Sequence, residues 1–182
     1  VAYELTENGG GHEVTLFEKS PHMGGLVSSV KINNVPIEQY YHHMFPSYND
    51  FWEVAKKLGF YDKVYFKKAS TALYYGGGIY PFTSAVDLLR FTPLSLLDRI
   101  KTGLFTLYCK SKKNWHTFEN ITATSWLIKN VGKESYRVIW EPLLKSKFGM
   151  YAENISMAWL WGRIFERPSK FGYFEGGFFI FV

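Results

Sequence analysis

The run from Glu13 to Gly25, "EVTLFEKSPHMGG", constrains this chain more than any other stretch. Its first part, 13–18, alternates and is rich in strand formers, which predicts a strand with Val14, Leu16 and Phe17 as its buried side chains and Glu18 at its tip. Ahead of it, residues 1–8 read as the last turns of a helix, with Ala2 and Leu5 at an i, i+3 spacing and the "NGGG" of 8–11 as the stop. Helix, short turn and strand make half of a βαβ unit. After five intervening residues Glu18 is followed by Gly24 and Gly25, and this order of parts is what a nucleotide site at a strand end needs. A carboxylate there accepts two charge-assisted hydrogen bonds from the vicinal hydroxyls of a ribose. Paired glycines let backbone N–H groups come close to phosphate. Taken singly, Glu18 could end a strand in solvent and the glycines could form an ordinary turn; the ordered combination favours the nucleotide.

Glu18 falls at the ribose position only if a glycine-rich phosphate fingerprint lies just before Val1, because no such fingerprint occurs in the chain. The carboxylate would also repel a 2′-phosphate, which argues against a phosphorylated nicotinamide cofactor. The opening "VAYELTENGG" is helical without a helix start, and the closing "YFEGGFFIFV" is strand-like with no partner. Both ends have the pattern expected of a fragment of a longer protein.

Downstream, "VSSVKINNVPIEQYY" predicts two short strands around Asn33-Asn34, a pair that tolerates positive φ. Residues 49–59 predict a helix with Asn49 as N-cap, Asp50 in the first turn and Gly59 as stop. A second hairpin follows through Gly76-Gly77-Gly78. From 84 to about 165 the pattern turns helical, with starts at Ser84, Ser95, Thr124 and Asn154 and stops at Gly132 and Gly149. Glu141-Pro142 reads as a helix start with Trp140, Leu143 and Leu144 in the core, and Trp159, Trp161 and Phe165 read as packing aromatics.

With 47% apolar and 19% aromatic residues in 182, the chain can bury a core. Its net charge of +5 is spread in short clusters such as 110–113 and 145–147, so no nucleic-acid partner is expected, while attraction to anionic phosphates or lipid headgroups stays open. The single cysteine, Cys109, implies no disulfide framework, a reducing and hence cytoplasmic setting, and a packing role with no assignable nucleophile partner. Residues 94–109 are the most apolar long stretch, but Asp98, Arg99 and Lys101 interrupt them, so they predict an amphipathic helix and at most peripheral membrane association.

"AYELTENGGGHEVTLFEKSPHMGGLVSS" resembles the FAD-binding N-terminal region of the flavin amine oxidase, protoporphyrinogen oxidase and phytoene desaturase superfamily. The resemblance extends through "IEQYYHHMF", "LGFYDKV", "WEPLLKSKFG", "AWLWGRI" and "GYFEGGF", and is nearest to the protoporphyrinogen-oxidase-like subgroup. It implies an α/β chain, as an α+β fragment: a partial Rossmann-like FAD-binding βαβ unit with hairpins over 1–83, a mostly helical substrate or cap domain over 84–170, and a return to the FAD and substrate sheet over 171–182. It also implies FAD as cofactor, with Glu18 on the adenosine ribose and Gly24 and Gly25 near phosphate and flavin. Lys19 and Leu26 flank these positions and share the cofactor-binding expectation. Tyr41, His42 and His43 fall where the family chain passes the isoalloxazine ring. Many amine oxidases carry Arg after the two glycines; Leu26 stands here, which weakens any claim to amine substrates.

The function implied is hydride transfer from a C–H or C–N bond of a small, apolar or amphipathic substrate to flavin. Because the cofactor carries the chemistry, no sharp catalytic pair is required, and none shows. Adjacent His42 and His43 would point to opposite faces of a strand with no third ligand, so no metal is expected, although one of them could shuttle a proton. Two other readings remain: a UDP-galactopyranose mutase-like flavin isomerase, and a non-catalytic basic module that binds membranes or partners.

Overall fold

Asn33 and Asn34 hold φ values of 49° and 64°, and Gly76 and Gly77 hold 56° and 83°. Positive φ at both central residues gives the two-residue turn whose twist matches paired strands, and each pair closes a hairpin as the sequence predicts. The first hairpin joins β1 (Ser29–Ile32) to β2 (Val35–Glu38) in antiparallel register, Val30 opposite Ile37. A third strand, β3 (Val64–Lys67), precedes the second hairpin, β4 (Ala72–Tyr75) with β5 (Gly78–Pro81). β6 (Phe171–Phe174) forms a two-stranded sheet with β3, so the closing segment does find a partner. The computed structural model describes residues 2–7, 12–40 and 42–181. They cluster into two units, the first running to Phe66 and resuming at Gly172, the second spanning Lys67–Phe171.

The first unit contains helix α1 (Ala2–Glu7) and helix α2 (Asn49–Lys57). Asn49 lies inside α2 and not at its cap; the cap position is Tyr48, with no side-chain bond, while Asp50 sits in the first turn where its charge suits the helix dipole. Gly59, at φ 75°, ends the element. Trp52 and Ala55 project from one face into a core shared with Phe174 and Phe178. Trp52 Nε1 donates to the Phe45 carbonyl at 3.0 Å, which fixes the indole in place.

The predicted strand over 13–18 does not form. Residues 12–18 lack regular structure, Leu16 and Phe17 are 76% and 96% exposed, and Val14 is half-buried. A strand takes its hydrogen bonds from neighbouring strands, and none of the described strands lies beside this run. Gly176 and Gly177, at φ 86° and 82°, turn the chain out of β6 into a 3₁₀ segment, Phe178–Phe181, where the sequence suggests more strand.

In the second unit the hairpin β4–β5 packs through Leu73, Tyr75, Tyr80 and Phe82 on the helical core. The second unit therefore begins at Lys67 and includes this hairpin, which buries its apolar face on the helices. The helices are α3 (Ala85–Arg90), α4 (Leu96–Ser111), α5 (Ala123–Asn130), α6 (Lys133–Ser135), α7 (Glu141–Phe148) and α8 (Met157–Phe165). Ser84 caps α3 in a reciprocal capping box with Asp87, and Ser95 caps α4. The starts of α5 and α8 are Thr122 and Ser156, two residues away from the predicted Thr124 and Asn154; each hydroxyl accepts a backbone N–H of the first turn.

Glu141-Pro142 opens α7 as the sequence predicts, though not as a free start. α6 runs into α7 through a π-helical segment, Tyr136–Trp140. Pro142 has no N–H for the Val138 carbonyl and its ring would crowd that oxygen, so a wider turn ahead of it is the expected response. Trp140 and Leu144 are buried as predicted, whereas Leu143 is 38% exposed. Trp161 Nε1 donates to the carbonyls of Cys109 and Lys112 at 3.1 and 2.9 Å, and Lys110 Nζ donates to those of Phe165 and Arg167, tying the end of α4 to that of α8.

Candidate functional site

The expected nucleotide-binding residues lie in the loop between residue 12 and β1. Glu18 is exposed, and its Oε1 accepts the Ser20 N–H at 2.7 Å. That bond winds residues 18–20 into a local turn and leaves Oε2 without a partner among the described residues. Lys19 is exposed beside it. Gly24 and Gly25 then adopt φ values of 109° and 49°. A side chain would be strained at both.

The two glycines differ in their surroundings. A Cβ on Gly24 would lie 3.2 Å from the Phe179 ring, so this backbone is pressed against the 3₁₀ segment Phe178–Phe181. A Cβ on Gly25 would meet nothing within 4 Å. The carbonyls of Gly24 and Gly25 accept the N–H groups of Val27 and Ser28, at 2.9 and 3.2 Å, and close a short turn. At its open end the N–H groups of Gly25 and Leu26 have no acceptor among the described residues. Leu26 itself is 70% exposed. Two free amides at an open glycine are a donor set for an anionic oxygen.

Next to this loop the structure gathers residues the sequence did not single out. Glu38, at the end of β2, accepts the Phe178 N–H on Oε1 at 2.6 Å, a short, charge-assisted bond. Its Oε2 lies 3.7 Å from His42 Nδ1. That nitrogen is also 2.9 Å from the Tyr40 carbonyl, so the neutral ring carries its proton on Nδ1 and donates it to Tyr40. The His42 ring lies 5.7 Å from that of Phe178, and His43 stacks on Phe45 at 5.9 Å. Tyr41 lies outside the described residues. The signal for Glu38 was faint: a carboxylate ending a short strand, with the Gly176-Gly177 turn that meets it 138 residues away.

The structure thus brings Gly24, Glu38, His42 and Phe178–Phe179 into one neighbourhood. Among the described residues, Glu18 and Lys19 form no hydrogen bond or ion pair with that neighbourhood. No group of three or more His, Cys, Asp or Glu among the described residues could hold a metal ion.

The chain matches the family model of flavin-containing amine oxidoreductases over residues 1–172. It belongs to that family. Eight solved chains also match. One is the crystal structure of a protein from Exiguobacterium sp. 255-15, provisionally named a protoporphyrinogen oxidase, with a TM-score of 0.63 and 16% identity. The alignment covers 90% of this chain and 42% of that one, so the chain spans less than half the length of that neighbour. This likeness establishes the shared fold, an α+β arrangement of small sheets and a helical part. No curated protein matches.

Membership of the family makes a flavin the cofactor class, and the loop fits it. A carboxylate oxygen and two amides with no partner among the described residues, beside a lysine, suit a group that carries hydroxyls and phosphates. Among the described residues no helix is long and apolar enough to cross a membrane.

Proposed function

We propose that this chain forms part of the cofactor-binding and substrate-covering portion of an FAD-dependent oxidoreductase acting on a C–H or C–N bond of a small organic substrate. The observation that carries the reading is the turn at Gly24–Val27, whose Gly25 and Leu26 amides, like Oε2 of Glu18 in the same loop, have no partner among the described residues. A bound flavin supplies the hydride acceptor. Glu18 Oε2 accepts the adenosine ribose hydroxyls, and the Gly25 and Leu26 amides donate to phosphate oxygens, with Lys19 adding positive charge nearby. His42 is held by Tyr40 through Nδ1, which leaves Nε2 as the ring atom able to exchange a proton. His43, stacked on Phe45, contributes an aromatic face.

The test is flavin retention by the full-length protein. Removing a carboxylate that accepts charge-assisted bonds costs about 1.5–3 kcal/mol, or roughly ten- to 150-fold in affinity. Glu18→Ala should weaken FAD binding by that factor, measured by titrating the apoprotein and following the visible absorbance, while leaving the fold intact because the side chain is exposed. Undiminished FAD affinity in Glu18→Ala, or a wild-type protein that never binds flavin, overturns the proposal.

A further inference from the structure

The 3₁₀ segment Phe178–Phe181 meets the glycine loop on one side and the first hairpin on the other. At three residues per turn Phe178 and Phe181 share a face, and both pack on the core of Trp52, Ala55 and Phe174. The Phe181 ring lies 4.9 Å from that of Phe174 and 5.6 Å from that of Phe60. Phe179 leaves this face. Its ring is 41% exposed and is the surface against which Gly24 is pressed. Two buried aromatics therefore anchor the segment and hold the third against the loop.

Glu38 fixes the start of that segment. The first N–H groups of a helical turn have no carbonyl of their own turn to meet, and Glu38 Oε1 takes the one on Phe178 at 2.6 Å. So close an approach needs bare backbone beside it: a Cβ on Gly177, at φ 82°, would stand 2.7 Å from the same oxygen. One residue on, Gln39 reaches back to the loop. Its N–H donates to the Ser28 carbonyl at 3.0 Å, and the Ser28 hydroxyl donates to its Oε1 at 2.8 Å. Ser28 is the residue whose N–H closes the glycine turn on the Gly25 carbonyl. The contacts form a ring, from the Gly24 turn through Ser28 to Gln39 and Glu38, across to Phe178 and Phe179, and back to Gly24. A loop fastened at both ends has less freedom left to lose when a ligand binds.

We propose that Glu38 is a positioning residue for the cofactor loop. It fixes the closing segment, whose Phe179 ring sets the Gly24–Val27 turn, and the turn in its set form presents the Gly25 and Leu26 amides to an anionic group. Glu38 touches no ligand in this role and acts through Phe178 and Phe179. The inference rests on the flavin reading for the identity of the ligand, while the coupling between Glu38 and the turn can be measured without any ligand.

The experiment compares the full-length protein, free of flavin, with Glu38→Ala, Glu38→Gln and Phe179→Ala by residue-resolved amide hydrogen exchange. Glu38→Ala should speed exchange at least about tenfold at Phe178 and also at Val27 and Ser28, whose N–H groups close the turn. Glu38→Gln keeps an acceptor of the same shape and should restore most of the protection. Phe179→Ala alters an exposed side chain; it should speed exchange at Val27 and Ser28 alone, and it decides the matter if Glu38→Ala fails to fold. In FAD titrations of the apoprotein both alanine variants should bind about five- to 150-fold more weakly than wild type, the usual span of coupling between sites. Unchanged exchange at Val27 and Ser28 in Phe179→Ala overturns the proposal, and so does wild-type FAD affinity in both alanine variants. A wild-type protein that binds no FAD overturns the flavin reading instead, and the exchange data still test the coupling of Glu38 to the turn.

Discussion

Replacing Gly172 by Ala should destabilise the first unit, against the ordinary sign of that change. In a strand, Ala is normally favoured over Gly by about 0.5–1 kcal/mol. Here the added methyl would stand 2.5 Å from Trp52 Cη2, 2.9 Å from Cζ2 and 3.2 Å from Phe66 Cε1. The indole cannot step aside cheaply: its Nε1 is bonded to the Phe45 carbonyl, and its ring is packed by Phe51, Phe66 and Phe174, with centroids 5.1, 5.6 and 6.1 Å away. The backbone is no freer, since Gly172 and Met44 exchange both hydrogen bonds, at 2.8 and 3.0 Å. Overpacking costs about 1–3 kcal/mol, and freeing the buried indole N–H adds about 1 kcal/mol. The net loss is about 1–3.5 kcal/mol after the intrinsic gain is subtracted. Urea denaturation of wild type and Gly172→Ala measures it, and repeating the change in a Trp52→Phe background, which lacks the outer indole ring, isolates the contact. The two substitutions should couple by about 1 kcal/mol or more. A cost below about 0.5 kcal/mol, or an equal cost in both backgrounds, would refute the reasoning.

Two further outcomes follow from groups in the helical unit. Burial pushes the Cys109 thiol up from 9.0 to about 12, so it should be silent to thiol reagents at pH 8 until the protein unfolds. Because the folded thiol holds its proton longer than the unfolded one, the stability it lends is complete below pH 9 and should drain away as pH rises toward 12, seen as a falling melting temperature. The Ser84 hydroxyl, with the Ser84 and Thr83 N–H groups, holds the Asp87 carboxyl below its ordinary 3.8, so its contribution is present above that pH and should be lost on acidification through the lowered value, read as faster amide exchange at the start of α3. Ser84→Ala should cost about 0.5–2 kcal/mol at neutral pH and remove most of that acid sensitivity.

Much of this architecture was legible because its signals are local. Asn33-Asn34 and Gly76-Gly77 name the turn by φ alone, and Ser84 and Ser95 announce helices because a hydroxyl has to meet nearby amides. The failures came where the deciding partner lies far away in sequence. Val14, Leu16 and Phe17 alternate like a strand, but pairing depends on neighbours. Thr122 and Ser156 displaced the expected caps because they also pair across the chain as an isolated bridge, Met157 N–H donating to the Ile121 carbonyl at 2.7 Å. α4 shows the same limit. A helix with leucines through a wide arc reads as amphipathic, yet the pattern alone does not say that Phe105 and Cys109 take the core while Leu104 and Leu107 take the outside.

The candidate site can be sorted by which polar atoms are already satisfied. Glu38 lies closest to the assembled aromatic neighbourhood, but the Phe178 amide occupies Oε1 and His42 stands beside Oε2, so its carboxylate works as a clasp between the hairpin and the closing segment. A ligand that drew Glu38 away would strip a hydrogen bond from the Phe178 amide, at about 1–3 kcal/mol. Glu18 Oε2 and the Gly25 and Leu26 amides carry no such debt among the described residues. Exposed polar atoms are served by water, and a cofactor that takes their place exchanges those water bonds without breaking any within the protein. The satisfied carboxylate therefore shapes this neighbourhood, and under the proposed function the loop of Glu18, Gly25 and Leu26 would be the part that binds.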